Sequence, residues 1–392
     1  MPAAGERPRI CILTSVHAAL DARIFQKEAR ALAAAGYDVT VLAQDGIPDS
    51  SRDGVRLVGL SRPRSRRRRL LGLWRLYRAA RATGAALYTL HDPELLLLAP
   101  ALRLAGRAPV VYDVHEDVSA QIGMKEWLPR VLRRPAAAGY RLLEWLVRPF
   151  LAGVVLAEES YEELYRGWHA VTVRNYALTA ALPPPGQPDG RPTLAYVGKI
   201  QAQRGLFEML ELVRLLVPTH PDLLLHLIGP VVPESDVRAA GRFLALHGLE
   251  AHVRFEGPVS HDRVYGLLAG AHLGLALLHP EPNYLHSLPT KLFEYMGMGV
   301  PVVASDFPLW RAIVEGAGCG LVVDPLDPNA AARAVTELLA DTGRRRQCGL
   351  AGRAAVLQTY SWESQAPALV GFYDQLLRPA TSRRTPGTTP PG

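Results

Sequence analysis

Short apolar runs alternate with helical patterns along the whole chain. In the first half, the runs typical of strands are Arg9–Thr14, Asp38–Ala43, Val55–Val58, Leu87–Leu90, Val110–Val114, Val154–Ala157 and Val171–Val173. In the second half they are Thr193–Val197, Leu223–Ile228, Val253–Phe255, Leu273–Leu277, Val300–Ala304 and Gly320–Val323. Strands and helices that alternate in this way form βαβ units around parallel sheets. The pattern therefore predicts an α/β fold with two Rossmann-like, doubly wound domains.

A proline-rich segment separates the two halves. Four of the eight residues from Ala181 to Pro188 are proline, and proline continues neither a helix nor a central strand. The chain of 392 residues is also too long for one hydrophobic core. We therefore predict a first domain at 1–180, a linker at 181–190, a second domain at 191–360, a closing helix at 361–378 and a disordered tail at 379–392.

The composition excludes a disordered chain, because 48% of the residues are apolar and 21% are charged. No apolar run reaches the roughly 18 residues that a membrane span requires, and the polar start lacks the apolar stretch of a signal peptide. The three cysteines, Cys11, Cys319 and Cys348, have no metal-ligand spacing and suit a reducing compartment. We expect a cytoplasmic protein.

The net charge of +7 comes from one arginine-rich segment. Residues 54–91 hold ten arginines and no acid, whereas the rest of the chain is slightly acidic. Here Leu73, Trp74 and Tyr77 share one helical face beside cationic residues. The cationic residues are Arg66, Arg67, Arg68, Arg69, Arg75 and Arg78. We predict an amphipathic helix that binds an anionic membrane surface with Trp74 at headgroup depth, and a solvated basic helix is the alternative.

Two further points concern the basic residues of the chain. A nucleic-acid-binding module is disfavoured, because no stacking aromatic residues are spread along a basic groove. A second stretch, Met124–Gly153, combines arginines with Trp127 and Trp145 in the same way as the first, less strongly.

Polar residues follow the predicted strands of the first half. Sites in open parallel sheets lie outside the carboxyl ends of the strands. The candidates there for contacts with a substrate are His17, Asp21, Arg23, His91, Asp92, His115 and Glu116. His115 is either a loop histidine satisfied within the protein or a polar contact to a substrate, and its spacing does not distinguish the two.

In the second half, Gly198 and Gly205 bracket Lys199 and Arg204 directly before a predicted helix. Two cations beside open helix amides suit a diphosphate, and a solvated loop is the alternative. A second helix is predicted from Thr290 to Met298. Its Glu294 is either a surface residue or an acceptor for two vicinal hydroxyls, as on a ribose.

Several motifs are missing from the sequence. There is no G-x-G-x-x-G after a strand, no P-loop and no G-x-S-x-G, which disfavours dehydrogenases, P-loop NTPases and α/β-hydrolases. There is also no D-x-D pair to hold a divalent cation on a diphosphate. We expect no metal and no organic cofactor.

The second half resembles the donor domain of retaining glycosyltransferases of family 4, which have the GT-B fold. The segments that carry the resemblance are Gly198-Lys199, Arg204-Gly205 and the block from Pro289 to Asp306. The first half is similar to the acceptor domain of bacterial members. Its matching segments are Asp21–Glu28, Gly36–Val39, His91–Leu95 and Tyr112–Asp117, and Tyr360-Ser-Trp agrees near the end. The likeness covers roughly residues 8–378.

This resemblance implies two domains that face each other across a cleft, with a closing helix that returns to the first. It implies that Lys199 and Arg204 bind the donor diphosphate, that Glu294 binds the ribose and that His115 lies near the reacting centre. The family's first glutamate is replaced by His286. Backbone amides then substitute for part of its contact with the sugar, and the donor-binding residues of this segment are Ser287, Leu288, Pro289 and Thr290.

The reaction that the resemblance implies is transfer of a sugar, of hexosyl type, from a nucleotide diphosphate to an acceptor hydroxyl with retention. We expect a lipid-linked saccharide acceptor at the inner membrane face, as in cell-surface polysaccharide synthesis. A soluble natural-product acceptor is the first alternative. The second is a nucleotide-sugar epimerase of related fold, which needs no acceptor.

Overall fold

The computed structural model describes residues 7–61, 66–124, 128–180 and 182–378. They form two compact units. The first contains the described residues up to Asn175 together with those from Gln365 onward, and the second runs from Tyr176 to Ser364. The tail at 379–392 and Ala181 of the linker lie outside the described residues.

The first unit is built on one sheet, whose strand order is β3-β4-β2-β1-β5-β6-β7-β8. The strands are β1 (Arg9–Thr14), β2 (Asp38–Ala43), β3 (Ser50–Arg52), β4 (Val55–Gly59), β5 (Leu87–Leu90), β6 (Val110–Val114), β7 (Gly153–Leu156) and β8 (Ala170–Thr172). All neighbours pair parallel except β3 and β4. β5 and β6 are buried at every position, because helices cover both faces of the sheet.

The helices of this unit connect the parallel strands. They are a π-helix (Ala22–Ala29), α1 (Arg30–Ala34), α2 (Arg66–Ala82), a 3-10 helix (Pro93–Leu98), α3 (Ala99–Gly106), α4 (Val118–Met124), α5 (Arg130–Val147) and two 3-10 turns (Arg148–Phe150 and Glu159–Tyr161). Among the described helices of the chain, none has the length and apolar composition that crossing a bilayer requires.

The second unit has a parallel sheet in the order β11-β10-β9-β12-β13-β14. Its strands are β9 (Thr193–Val197), β10 (Leu224–Ile228), β11 (Val253–Gly257), β12 (Leu273–Ala276), β13 (Val302–Ser305) and β14 (Gly320–Val323). Its helices are a 3-10 turn (Ala202–Arg204), α6 (Leu206–Leu216), α7 (Glu234–His247), α8 (His261–Ala269), α9 (Pro282–Leu285), α10 (Thr290–Gly297), α11 (Pro308–Ala317), α12 (Pro328–Ala340) and α13 (Thr342–Gln358).

The last helix, α14 (Trp362–Leu377), begins in the second unit and continues in the first. Tyr373 exchanges a hydrogen bond with Thr89 of β5 at 2.8 Å, and Asp374 accepts one from Tyr37. The prediction that the closing helix returns to the first domain is therefore confirmed, as are the two Rossmann-like sheets and all thirteen predicted strands.

Candidate active site

In both units, the candidate residues lie where the direction of the strand connections reverses. β1 and β5 are neighbours in the first sheet, and β9 and β12 are neighbours in the second. Loops that leave two such strands go to opposite faces, so a crevice forms outside their carboxyl ends. The predicted residues follow β1, β5, β6, β9 and β12, and each group is described within its own unit.

The loop after β9 is held tightly by its two glycines. Gly198 has φ 119° and Gly205 has φ 81°, a region that side chains rarely adopt. A Cβ on Gly205 would lie 1.9 Å from the carbonyl oxygen of Leu277. The backbone between the two glycines is thus fixed close to β12, which brings Lys199 and Arg204 to the carboxyl end of β9.

The two predicted cations of this loop differ in their surroundings. Lys199 is exposed. Arg204 is half-buried, its Nε donates to the hydroxyl of Tyr284 at 3.3 Å, and its guanidinium lies 5.4 Å from the centre of that ring. Tyr284 therefore orients Arg204.

A third cation, Lys291, lies beside this loop and was not predicted. Only 4% of its surface is exposed, its Nζ is 3.6 Å from the centre of the Tyr196 ring, and that amine has no hydrogen-bond partner among the described residues. Burial, together with the charge of Arg204, holds the pKa of Lys291 well below its usual range. A Cβ on Gly198 would lie 3.5 Å from Nζ, so the amine borders the glycine loop directly.

Helix α10 supplies amides to the same region. Pro289 precedes it in an extended conformation and Thr290 is its first residue, so the first amides of the helix have no partner within the helix. Glu294 is half-buried one turn later. Tyr295 accepts from the Val197 amide at 2.8 Å and donates to the Leu275 carbonyl at 3.1 Å, which fixes α10 against the ends of β9 and β12.

The residues before α10 take separate positions. His286 is exposed at the end of α9, and the carbonyl of Ser287 accepts a 2.7 Å hydrogen bond from the indole of Trp310. Leu288 is half-buried. The predicted role of His286 toward the donor stays a prediction.

In the first unit, a chain of hydrogen-bonding groups links four residues that are distant in sequence. The Nδ1 of His115 lies 2.9 Å from the Asp113 carboxylate, and its Nε2 lies 2.9 Å from the Nδ1 of His91. The Nε2 of His91 is 3.4 Å from a carboxyl oxygen of Glu28. Glu28, His91 and Asp113 are all buried, so this network is shielded from water.

The electrostatic surroundings of this hydrogen-bonding network indicate which of its side chains carry a proton. Burial lowers the pKa of His91 to about 3, so His91 is neutral. Burial and the neighbouring Asp113 raise the pKa of Glu28 well above its usual range. Burial also favours protonated Asp113, but Arg23 and His115 outweigh it and hold that pKa well below its usual range.

One consistent arrangement follows from these charges. His91 donates from Nδ1 to His115, and His115 donates from Nδ1 to Asp113. Both ring nitrogens of His115 are then engaged within the protein. His91, Asp113 and His115 also lie close enough to ligate a cation. However, their 2.9 Å contacts are hydrogen bonds, and the Asp113 carboxylate is already bonded to Arg23 at 3.0 and 3.2 Å.

Arg23 and Asp92 are placed inside the unit. The guanidinium of Arg23 also donates to the Val173 carbonyl at 3.1 Å. Asp92 accepts from the Ser15 amide at 2.6 Å and the Thr14 hydroxyl at 2.8 Å, and thus fixes the loop after β1. Both are buried. From these buried positions, Arg23 and Asp92 hold the backbone around the site in place. Direct contact of either residue with an acceptor stays a prediction.

His17 is the accessible histidine of this cluster. Its ring centre lies 5.7 Å from that of His115, and its Nδ1 lies 3.6 Å from the Asp21 carboxylate. Asp21 in turn accepts from the Arg23 and Ile24 amides at the start of the π-helix. The neighbouring Asp21 carboxylate raises the pKa of His17, against the opposing effect of burial.

We expect this shift to be visible in a titration. Because the folded-state pKa of His17 is raised, its stabilising contribution is complete below the unfolded value of about 6.5 and is lost as the pH rises through the folded value. Histidine NMR should show an elevated pKa that falls towards the ordinary value in Asp21→Asn. An unchanged titration in that variant would remove Asp21 as the cause.

Two family models match the chain. The model for "Glycosyl transferase 4-like domain" matches residues 22–178, and that for "Glycosyl transferases group 1" matches residues 181–355. Together they cover most of the chain. The protein is a GT-B glycosyltransferase of the family 4 type.

Similar proteins include one mycobacterial relative and two solved structures. Phosphatidyl-myo-inositol mannosyltransferase of Mycobacterium tuberculosis is 29% identical over 304 residues, 73% of this chain and 72% of the relative. Sucrose-phosphate synthase from Thermosynechococcus elongatus has a TM-score of 0.76 at 19% identity, covering 94% of this chain and 99% of its own. HepE from Anabaena, in complex with UDP-glucose, has a TM-score of 0.71 at 14% identity. The match covers 94% of this chain and 99% of the HepE chain. The two structures support the fold.

This glycosyltransferase also has a cavity of about 240 Å³ in its first unit that was not predicted. It begins at the end of β6, and its lining combines aromatic rings with charged groups: Asp117, Tyr140, Arg141, Glu144, Trp145, Arg148, Tyr161, Tyr165 and Trp168. Tyr165 donates to Glu144 at 2.5 Å, which fixes one wall. The spacing of Tyr161, Tyr165 and Trp168 by four and three residues is the signal that could have indicated it. Glu116, a predicted acceptor contact, accepts from Gln121 nearby in sequence.

The predicted membrane helix of the glycosyltransferase is present as α2, but some of its described apolar residues lie in the core. Leu73 and Leu76 are buried, whereas Trp74 is 63% exposed and stacks on Tyr77 with a centroid distance of 5.3 Å. Arg75 and Arg78 are exposed. The side chains of Arg66, Arg67, Arg68 and Arg69 lie outside the described residues. Membrane binding through α2 stays a prediction.

Proposed function

We propose that this glycosyltransferase transfers a hexosyl unit, with retention and without a metal ion or other cofactor, from a nucleotide diphosphate to a lipid-linked saccharide. The observation that carries the donor side is the cluster beside the glycine loop and the start of α10. It contains Arg204 and the buried Lys291, whose amine has no hydrogen-bond partner among the described residues. A buried amine without a partner is costly, and an anionic diphosphate supplies the missing partner. The UDP-glucose bound by HepE supports a nucleotide diphosphate of this class.

The proposed reaction is a front-face displacement. The acceptor oxygen bonds to the anomeric carbon on the face that the diphosphate leaves, the bond from that carbon to the diphosphate oxygen breaks, and the acceptor proton passes to that oxygen. Lys199, Arg204, Lys291 and the amides from Thr290 stabilise the negative charge that develops on the leaving group. Glu294 accepts from the ribose hydroxyls. Because both nitrogens of His115 are engaged, we assign it a positioning contact near the donor sugar and no proton transfer.

The acceptor side of the proposal is supported by one relative and by the cavity beside β6. The mannosyltransferase relative is named for a phosphatidyl-inositol, which supports a lipid acceptor at the inner membrane face. The aromatic cavity beside β6 suits the apolar faces of sugar rings. A soluble acceptor is the alternative, and incubation with donor alone separates both from an epimerase, which would convert the donor without an acceptor.

A thermal-shift screen over UDP-, GDP- and ADP-sugars identifies the donor, since a ligand at a hundred times its dissociation constant stabilises the protein by about 2.7 kcal/mol. Product NMR then tests retention. An inverted anomeric centre would contradict the front-face mechanism.

We expect EDTA to leave the transferase rate unchanged, because side-chain cations and helix amides neutralise the diphosphate in this proposal. Initial rates with and without the chelator, followed by addition of Mg²⁺ or Mn²⁺, measure this. A loss of rate that a divalent cation restores would show that the proposed charge balance is wrong.

A further inference from the structure

Helix α5 exposes large apolar side chains on its outward side. Val131 is 81% exposed, Leu142 is 54% and Trp145 is 66%, and Leu132 and Leu146 are each about half exposed. The opposite side of the helix packs inward, where Val147 is buried in the core of the first unit. About half of the apolar residues of α5 therefore lie outside the core.

The exposed apolar residues form a continuous stripe. Positions 131, 135, 138, 142 and 146 follow one another at intervals of three or four, which places them on one face of a helix. At about 1.5 Å per residue, the stripe extends over roughly 22 Å. Soluble monomers seldom leave such a surface bare, and a continuous exposed apolar surface marks an interaction site.

A stripe of arginines runs beside the apolar one. Arg130, Arg134, Arg141 and Arg148 are exposed and spaced by four and seven residues, so they share the neighbouring face of the helix. The only acid of α5 is Glu144, which is half-buried and accepts from Tyr165. The outward surface of α5 thus combines apolar bulk, a tryptophan and positive charge without an exposed acid.

We propose that this outward face of α5 binds the surface of a bilayer that contains anionic phospholipids. Arginine side chains bind lipid phosphates, apolar residues enter the acyl boundary, and an exposed tryptophan suits headgroup depth. The proposal identifies the membrane-binding surface of the protein. It rests on the lipid acceptor of the proposed function. Helix α2 offers less, because Leu73 and Leu76 are buried in the core.

Two observations favour a bilayer over a second copy of this chain. A symmetric contact pairs the same patch on both copies, and this patch offers arginines with no exposed acid on α5 to meet them. In addition, Arg141, Trp145 and Arg148 also line the aromatic cavity. A lipid headgroup bound to the face of α5 therefore lies next to a cavity with aromatic walls.

The test is flotation of the full chain with vesicles of phosphatidylcholine, with and without phosphatidylglycerol. The variant Leu142→Glu/Leu146→Glu should reduce partitioning by about a hundredfold, at roughly tenfold for each leucine withdrawn from an apolar environment. Arg130→Gln/Arg134→Gln should reduce it about fivefold per arginine, and only with the anionic vesicles. The matched control is Leu246→Glu on α7, where Leu246 is 78% exposed in the second unit.

Partitioning of Leu142→Glu/Leu146→Glu equal to that of wild type overturns the proposal. The proposal is also overturned if light scattering detects a wild-type dimer that is absent in this variant, and wild type fails to bind vesicles. Sugar transfer to a detergent-solubilised acceptor is measured in parallel, and we expect it to be retained in the leucine variant. If wild type binds vesicles but shows no transfer to lipid-linked acceptors, the proposed function fails and the membrane-binding face stands.

Discussion

Replacing Arg204 with alanine should lower kcat/KM by about a hundredfold or more. Arg204 is the half-buried cation of the glycine loop, oriented by Tyr284, and in the proposed reaction it meets the charge that develops on the leaving diphosphate. Removing one preorganised donor of this kind costs about 3 kcal/mol in the transition state, which corresponds to two or more powers of ten in rate. Steady-state kinetics with a saturating acceptor measure the change.

Arg214→Ala is the matched control for this experiment. Arg214 lies in the second unit on α6 and pairs with Glu211 on the same helix, so its removal should leave both rate and stability nearly unchanged. Thermal unfolding checks that Arg204→Ala is folded. A folded Arg204→Ala enzyme with almost full activity would exclude the diphosphate role of this arginine.

Replacing Lys291 with methionine should change stability and donor binding in opposite directions. In the free protein, its amine is buried against the Tyr196 ring without a hydrogen-bond partner among the described residues. Methionine has similar length without the charge, so Lys291→Met should raise the melting temperature, because the cost of desolvating the amine is removed. The same variant should bind the nucleoside diphosphate at least tenfold more weakly, since a charge-assisted hydrogen bond is lost.

Proton uptake gives an independent measurement of the same effect. The pKa of Lys291 lies well below its usual range in the free protein, and an anion beside the amine raises it, so binding should draw protons from solution. Calorimetry in buffers of different ionisation enthalpy should detect this uptake with wild type and a smaller one with Lys291→Met. A variant that is destabilised and binds the diphosphate normally would show that Lys291 has a structural role.

The strand positions were predictable because buried parallel strands are continuous apolar runs. The strand that was missed, β3, has the sequence Ser50-Ser51-Arg52, is exposed at every position and pairs antiparallel with β4 at the edge of the sheet. An exposed edge strand buries no apolar face, so neither hydrophobic alternation nor length distinguishes it from a loop. Its existence depends on backbone pairing with β4.

The parts of the site that escaped prediction depend on burial. Lys291 stands inside the segment that carries the family resemblance, but only the packing of Tyr196 and Gly198 around it reveals a buried amine. The sequence placed polar residues after β5 and β6, but it did not predict that His91 and His115 lie side by side. The direct contact between their rings, and the contact with Asp113 that engages the second nitrogen of His115, require the three-dimensional structure.

The two amphipathic helices α2 and α5 are a second case in which the sequence does not predict burial. Apolar residues at helical spacing occur in both α2 and α5, and the pattern does not say which side of a helix meets the core. In α2, Leu73 and Leu76 face inward. In α5, the exposed stripe is an additional apolar surface beside the one that packs inward.

The course of α14 has a consequence for synthesis on the ribosome. Tyr373 and Phe372 belong to the first unit, where Phe372 lies so close to Gly153 that a Cβ there would approach it within 2.5 Å. A nascent chain that ends at Asn175 therefore lacks the aromatic side chains that cover this part of β5 and β7. Although residues up to Asn175 are translated before the second unit, the first unit completes its packing only after Phe372 and Tyr373 have been added.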